Sequence, residues 1–138
     1  MSIEIYTDGS SMGNPGPGGF CAIVKNDGAT TIVKGGEPYT TNNRMEMAAI
    51  IAGLYWVTKN LPDKKTCAVY SDSNLIIQSL KQGWKRKKNL DLWEKLDTVR
   101  YQFEKISWNW IRGHAGHREN TQADKVAQAE ATKQKKKK

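Results

Sequence analysis

The hydrophobic pattern of this 138-residue chain changes near residue 40, and this change restricts the fold more than any other feature. Before it, strand-like runs at 3–8, 19–26 and 30–37 are separated by the Gly- and Pro-rich turn 13–19 and by Asn26-Asp27-Gly28, a hairpin signal. After it, helical and strand patterns alternate, with helices predicted at 43–60, 73–81, 91–104 and 118–133 and strands at 66–71 and 105–111. This order predicts an α/β domain with a five-stranded mixed sheet, an antiparallel meander followed by parallel strands, and helices on both faces.

Two of the predicted helices begin with residues that are typical of caps. Asn43 and Glu46 have the spacing of a capping box, and Asp91 and Glu94 form a similar pair. The segment 43–60 is apolar nearly all round, which predicts a helix buried against the sheet.

Positive charge is concentrated in two segments of a chain whose net charge is +8. The C-terminal run contains five lysines, Lys133 and residues 135–138, and a second basic cluster surrounds Trp84 and consists of Lys81, Lys85, Arg86, Lys87 and Lys88. Basic runs are most often solvated surface, but two of them, one with an aromatic residue inside, favour a polyanion as partner. We predict one domain over residues 1–132 and a disordered lysine-rich tail over 133–138.

The remaining composition indicates an intracellular globular protein. A hydrophobic fraction of 38% suits one folded domain, and no apolar run approaches the length of a membrane span. Met1 leads directly into a strand-like run, so we expect no signal or transit peptide. Cys21 and Cys67 lie in apolar segments and are expected to be buried free thiols, which suits a reducing cytoplasm. Nothing in the pattern requires more than a monomer.

Four acidic residues are the candidate functional groups: Asp8, Glu46, Asp72 and Asp124. Asp8 and Asp72 follow strand-like runs that can lie parallel and adjacent, which would bring the two carboxylates together at one end of the sheet. Acids gathered from distant segments are typical ligands of hard divalent cations, and in a basic protein such cations indicate phosphodiester chemistry.

Each acid also has a purely structural interpretation. Glu46 can serve the capping box and Asp72 can be the N-cap of the following helix. Asp8 can form a turn before Gly9, and Asp124 can be a solvated helix residue.

Four distinctive segments follow one another along the chain: Tyr6-Thr7-Asp8-Gly9-Ser10 running to Gly18-Gly19, Thr40-Thr41-Asn42-Asn43-Arg44-Met45-Glu46, Ser71-Asp72-Ser73, and Gly113-His114-Ala115-Gly116-His117 with Glu119-Asn120 and Asp124. Taken in order, they resemble type 1 ribonuclease H, the ribonuclease HI of bacteria. The resemblance covers residues 3–130. It implies a ribonuclease H-like fold and an enzyme that hydrolyses the RNA strand of RNA–DNA hybrids with Mg²⁺ or Mn²⁺, leaving 3′-hydroxyl and 5′-phosphate ends.

The resemblance also implies a role for each acid. Asp8 would bridge two ions, Asp124 would help hold the ion that activates the attacking water, and Glu46 and Asp72 would hold the ion at the leaving oxygen. His114 corresponds to a mobile histidine that assists proton transfer or product release, for which an imidazole is suited by its near-neutral pKa. His117 is given no catalytic role.

Substrate contacts are implied for a further set of residues. The minor-groove contacts to the RNA correspond to Asn14, Asn42 and Asn43, and Thr41 corresponds to a residue that binds a DNA phosphate. Asn74 stands where the family commonly has Gln, so one RNA contact would be weakened or shifted. The long basic protrusion of bacterial members is reduced here to a short loop, in which we expect Trp84, Lys85 and Lys87 to contact the hybrid. The lysine-rich tail would partly replace the lost positive charge.

Three other functions are compatible with parts of the pattern. A DNA resolvase or transposase of the wider superfamily would use similar acids, but the Asn-rich segments argue against it. A catalytically silent hybrid-binding module is opposed by the presence of all four acids. A domain of a reverse transcriptase often lacks the protrusion, whereas Met1 directly before the first strand favours a free-standing protein. The preferred interpretation is a cytoplasmic hybrid nuclease that acts in primer and R-loop removal during DNA replication.

Overall fold

The structure, a computed structural model, describes residues 3–83, 86–112 and 118–136. Its elements in chain order are β1 (Ile3–Ser11), β2 (Gly16–Asn26), β3 (Ala29–Thr40), α1 (Asn42–Asn60), β4 (Thr66–Ser71), α2 (Asn74–Gln82), α3 (Leu90–Arg100), β5 (Lys105–Trp110) and α4 (Arg118–Lys136). The predicted order of strands and helices is therefore confirmed.

The five strands form one mixed sheet in the order β3-β2-β1-β4-β5. The first three strands are antiparallel neighbours, and the predicted hairpin at Asn26 forms, since Asn26 pairs with Ala29 across Asp27 and Gly28, both at positive φ. β4 then lies parallel to β1 and β5 lies parallel to β4. The parallel pairing places the carboxyl ends of β1 and β4 at the same edge of the sheet, where the site described below is formed.

Alternate residues of the central strands pack into two separate cores. Ile5, Ala22 and Val24 face α1, α2 and α3 in the larger core, whereas Tyr6, Cys21 and Ile23 face α4 in the smaller one. Helices therefore cover both faces of the sheet, as predicted. Cys21 and Cys67 are buried free thiols.

The close packing of α4 depends on Gly19 of β2. A Cβ atom at Gly19 would overlap the carbonyl oxygen of Ala127 and the backbone nitrogen of Ala131 in α4. Because glycine leaves this space empty, the helix lies directly on the backbone of the strand.

Several element bounds differ from the sequence-based expectation. β2 begins at Gly16, inside the segment predicted as a turn, because Gly16 pairs with Thr40 at the far end of β3. α3 ends at Arg100 rather than at 104, and α4 continues to Lys136, so that residues 133–136 of the segment expected to be a disordered tail are helical. Among the residues that the structure describes, no helix combines the length and hydrophobicity of a membrane span.

Candidate active site

Three of the four acids meet at the carboxyl ends of β1 and β4. Tyr6 pairs with Tyr70 in the parallel ladder, and their rings stack with centroids 4.7 Å apart. Asp8 and Asp72 each lie two residues further along, so the strand register brings them together. Glu46 reaches the same point from the first turns of α1, and one carboxylate oxygen from each of the three lies within 4.8 Å of the others.

Glu46 is oriented towards this cluster and does not form the expected capping box. The N-cap of α1 is Thr41, whose hydroxyl accepts a hydrogen bond from the Arg44 amide. The Glu46 carboxylate instead accepts a hydrogen bond from the Gly9 amide of β1. The capping interpretation of Glu46 is therefore wrong, because its carboxylate accepts a hydrogen bond from Gly9, 37 residues away in the chain.

Gly9 makes this contact possible because it has no side chain. A Cβ atom at Gly9 would overlap the backbone of Met45 and Glu46. β1 and the start of α1 thus touch through their backbones, which holds Glu46 next to Asp8.

The N-cap interpretation of Asp72 is also wrong. Ser73 is the N-cap of α2, and its hydroxyl accepts a hydrogen bond from the Ile76 amide at 3.4 Å. The indole of Trp110 donates to the backbone carbonyl of Asp72 at 3.1 Å, which holds the end of β4 against β5. Neither helix start therefore uses a carboxylate of the cluster.

The cluster carries its negative charge in a mostly buried position, with Asp8 and Glu46 buried and Asp72 half-buried. Asp8 is 3% exposed and Glu46 is 7% exposed. Oδ1 of Asp8 accepts from the Gly9 amide at 2.9 Å, whereas Oδ2 is buried and receives no hydrogen bond from a described residue. A buried carboxylate oxygen without a donor is costly unless a cation binds it, and carboxylates are the preferred ligands of hard divalent cations. The donor set fits such a cation.

The pKa values reflect this crowding. Burial, together with the charges of Asp72 and Asp124, raises the pKa of Asp8 from its ordinary 3.8 to about 7, although its hydrogen bond with Glu46 acts in the opposite direction. Burial also raises the pKa of Glu46 well above its usual range, and the adjacent Asp72 and Asp8 add to the effect. Without a cation, the cluster therefore holds protons that ordinary carboxylates would release.

Asp124 approaches the cluster from the face of the sheet that α4 covers, opposite to the face that α1 covers. It is half-buried on α4, accepts a hydrogen bond from Gln128 at 2.9 Å, and lies close enough to Asp8 to raise its pKa. It does not belong to the three-carboxylate group within 4.8 Å, so the described side chains place it beside that group and not inside it.

Exposed amides border the cluster and are linked to one another. Oδ1 of Asn14 accepts from the Asn42 amide at 2.8 Å and from the Ser11 hydroxyl at 2.9 Å. Oδ1 of Asn42 in turn accepts from the Ser11 amide at 2.9 Å. The network ties the 13–16 turn to the start of α1, next to the acids. Ser11 is a member that sequence reasoning missed, since a serine near a glycine-rich turn carries no distinctive signal.

The other described contact residues lie at the starts of α1 and α2 and in the segment before α3. Asn43 shares a groove of about 320 Å³ with Lys87, while Asn74 is exposed at the first turn of α2 and Thr41 is the helix cap. The predictions for Trp84, Lys85 and His114 lie outside the described residues, as does His117.

Comparisons with known proteins agree with this arrangement. The RNase H family model matches residues 1–132. The chain is 43% identical over 141 residues to the ribonuclease H of Paramagnetospirillum magneticum, a match that covers 91% of this chain and 87% of the relative.

Solved structures share the fold. The N-terminal RNase H domain of a Mycobacterium tuberculosis protein, solved as a fusion with maltose-binding protein, superimposes with a TM-score of 0.84 at 31% identity and covers 96% of this chain and 95% of that one. LC11-RNase H1 in complex with an RNA/DNA hybrid has a TM-score of 0.82 at 24% identity, with 96% and 98% of the two chains covered, and shows the same fold. With its acids gathered at the ends of β1 and β4, the chain belongs to the RNase H family and is a type 1 ribonuclease H.

Proposed function

We propose that this ribonuclease H hydrolyses the RNA strand of RNA–DNA hybrids with two divalent cations bound by Asp8, Glu46, Asp72 and Asp124. The observation that carries the proposal is the buried carboxylate cluster, in which Asp8 Oδ2 receives no hydrogen bond from a described residue. Mg²⁺ is the expected cation and Mn²⁺ can substitute, since both bind carboxylate oxygens.

The four acids are proposed to hold the two cations together. Asp8 would be shared by the two cations, Glu46 and Asp72 would help to hold one of them, and Asp124 would help to hold the other. When bound, the cations neutralise charge on the attacking and leaving oxygens of the phosphodiester. The hydrolysis leaves a 3′-hydroxyl and a 5′-phosphate. His114 is proposed to assist proton transfer or product release.

The amide rim supports recognition of the RNA strand. Because Asn14 and Asn42 use their side-chain oxygens within the protein, their NH₂ groups are the parts that can donate to a substrate. A 2′-hydroxyl accepts such a bond, and DNA lacks this group. The fold is shared with a protein solved in complex with an RNA/DNA hybrid, which is consistent with this assignment. Asn43, Thr41 and Asn74 are proposed to complete the contacts, with Lys87, Lys85 and Trp84 on the basic loop.

The decisive experiment is cleavage of a hybrid labelled separately on each strand, in Mg²⁺. We expect cuts in the RNA strand that disappear with a chelator and with Asp8→Asn, and that persist with Asp63→Asn, which makes the same substitution at an exposed position. Cleavage of the DNA strand, or tight binding without cleavage in Mg²⁺ and Mn²⁺, would contradict the proposal. The cytoplasmic location, the monomeric state and the role in replication stay predictions.

A further inference from the structure

The basic segment 86–89, which leads into α3, is held against that helix by one of its own charges. The Arg86 guanidinium lies over the ring of Trp93, 4.1 Å from its centroid, and forms an ion pair with Asp97 one turn further along. Arg86 and Asp97 are both mostly buried, with 22% and 28% of their side chains exposed. Arginine is suited to this position because its planar guanidinium can stack on an aromatic ring and pair with a carboxylate together.

Asp97 is shared with a second arginine. Nε of Arg100 donates to the other oxygen of the Asp97 carboxylate at 2.8 Å. Although burial acts in the opposite direction, these two arginines hold the pKa of Asp97 below its ordinary value. The Asp97 carboxylate is therefore ionised at neutral pH and remains paired with Arg86.

The other end of the segment is fixed to α1. Arg44 donates to the side chain of Asn89 at 3.2 Å and forms a two-pronged ion pair with Asp91, at 3.0 and 2.8 Å. Arg44 directly follows Asn43, one of the proposed substrate contacts. The segment is thus attached at both ends, and its position is coupled to the start of α1.

Two lysines lie between these attachments. Lys87 and Lys88 are exposed, and both line the groove of about 320 Å³ together with Asn43 and Trp93. Leu75, which is 53% exposed, lines the same groove. Exposed lysines in this groove can contact the phosphate oxygens of a nucleic-acid backbone.

From this arrangement we infer that Arg86 is a positioning residue that holds Lys87 and Lys88 towards the hybrid and does not itself bind a phosphate. The inference rests on the proposed function, because it assumes that the hybrid is the polyanion. Fixing the backbone of the segment before binding lowers the entropic cost of ordering the two lysines in the complex. In a short loop, such attachment can compensate for the missing length of a protrusion.

The inference is tested by a double-mutant cycle. Dissociation constants for a hybrid are measured at several salt concentrations with Arg86→Gln, with Lys87→Gln/Lys88→Gln and with all three changes, each carrying Asp8→Asn to prevent cleavage. Arg100→Gln is the matched control, because it removes the other partner of Asp97 without touching the segment. Thermal melting of every variant establishes that binding is measured on folded protein.

We expect Arg86→Gln to weaken binding roughly two- to tenfold, the range expected when long side chains must be ordered on binding, and to leave the salt slope unchanged. The double lysine variant should lower the slope by up to about two, since each phosphate contact contributes about 0.9. Arg86→Gln should have no further effect in that background, and Arg100→Gln should bind like its parent.

Two results would overturn the positioning role. One is a fall of the salt slope by about one with Arg86→Gln alone, which would indicate a direct phosphate contact. The other is full additivity of Arg86→Gln with the lysine changes. If the wild-type chain cleaves hybrids, either result refutes only this inference, whereas a wild-type chain that does not cleave would refute the proposed function.

Discussion

The buried acid cluster predicts that the active site destabilises the protein when no cation is bound. The pKa of Asp8 rises from 3.8 to about 7 on folding, so the folded protein binds a proton more tightly than the unfolded chain between these values. This tighter proton binding adds to the free energy of unfolding below about pH 4, and the addition is lost as the pH rises through 7. At about 1.4 kcal/mol per pKa unit, the cost of ionising Asp8 in the fold reaches about 4 kcal/mol at pH 8.

Asp8→Asn removes this cost at nearly constant shape. The amide oxygen can still accept from the Gly9 amide, and the new NH₂ group can donate to the neighbouring carboxylates. We therefore expect the variant to be more stable than the wild type in chelator, by up to about 4 kcal/mol at pH 8 and by less than about 1 kcal/mol at pH 4.

Urea unfolding at the two pH values provides the measurement, with Asp63→Asn as the exposed control. Other carboxylates have lowered pKa values, among them Asp97 and Glu119, so wild-type stability alone mixes opposing effects. The difference between variant and wild type isolates the contribution of position 8. Saturating Mg²⁺ should then stabilise the wild type by mass action and narrow or reverse the difference.

Two results would refute this reasoning. Equal stability of the two proteins at pH 8 in chelator would mean that the ionised cluster is not strained. A stability difference that is the same at pH 4 and pH 8 would mean that packing, and not charge, separates the two proteins.

Two further predictions follow from the close packing of the site and from the lysine-rich end of α4. Gly9→Ala should lower the free energy of unfolding by roughly 1–3 kcal/mol through overpacking and reduce hybrid cleavage at least about tenfold, because its methyl group displaces the start of α1 from β1. The control is Gly28→Ala, at an open turn with φ of 84°, which should lower stability but not activity. A Gly9→Ala enzyme that remains active would contradict the packing argument. Replacing the lysines at 135–138 by Gln should lower the salt slope of hybrid binding by at least about one. Lys133→Gln should change the slope little, because Lys133 pairs with Glu130 at 2.8 Å. Equal effects of the two changes on the slope would contradict this distinction.

The order of strands and helices along the chain could be predicted because it depends on local periodicity, but the partners of the carboxylates at helix starts could not. At α1 the sequence offers Asn43 and Glu46 at capping-box spacing, yet Thr41 is the cap and Glu46 binds the Gly9 amide. At α3 the expected pair of Asp91 and Glu94 does not cap the helix, since Asp91 pairs with Arg44 of α1 instead.

The competing partner lies 37 residues away in the chain for Glu46 and 47 residues away for Asp91. A carboxylate near a helix start has several possible donors, and the fold decides which one it meets. The family motifs group Glu46 with Asp8 and Asp72, and the structure brings these three carboxylates together, whereas capping propensity considers only neighbours in the sequence.

The distribution of positive charge shows a related limit. The sequence counts Arg86 and Lys133 among the cations of the two basic clusters, but in the structure Arg86 pairs with Asp97 and Lys133 with Glu130. Their charges are largely compensated within the protein, so they attract a phosphate backbone less than exposed lysines such as Lys87 and Lys88 do. A net charge of +8 therefore predicts the class of partner, whereas the pairing of individual charges determines which residues can contact it. From its pairing with Asp97 we infer that Arg86, one cation of the basic cluster, positions Lys87 and Lys88 and does not bind a phosphate itself.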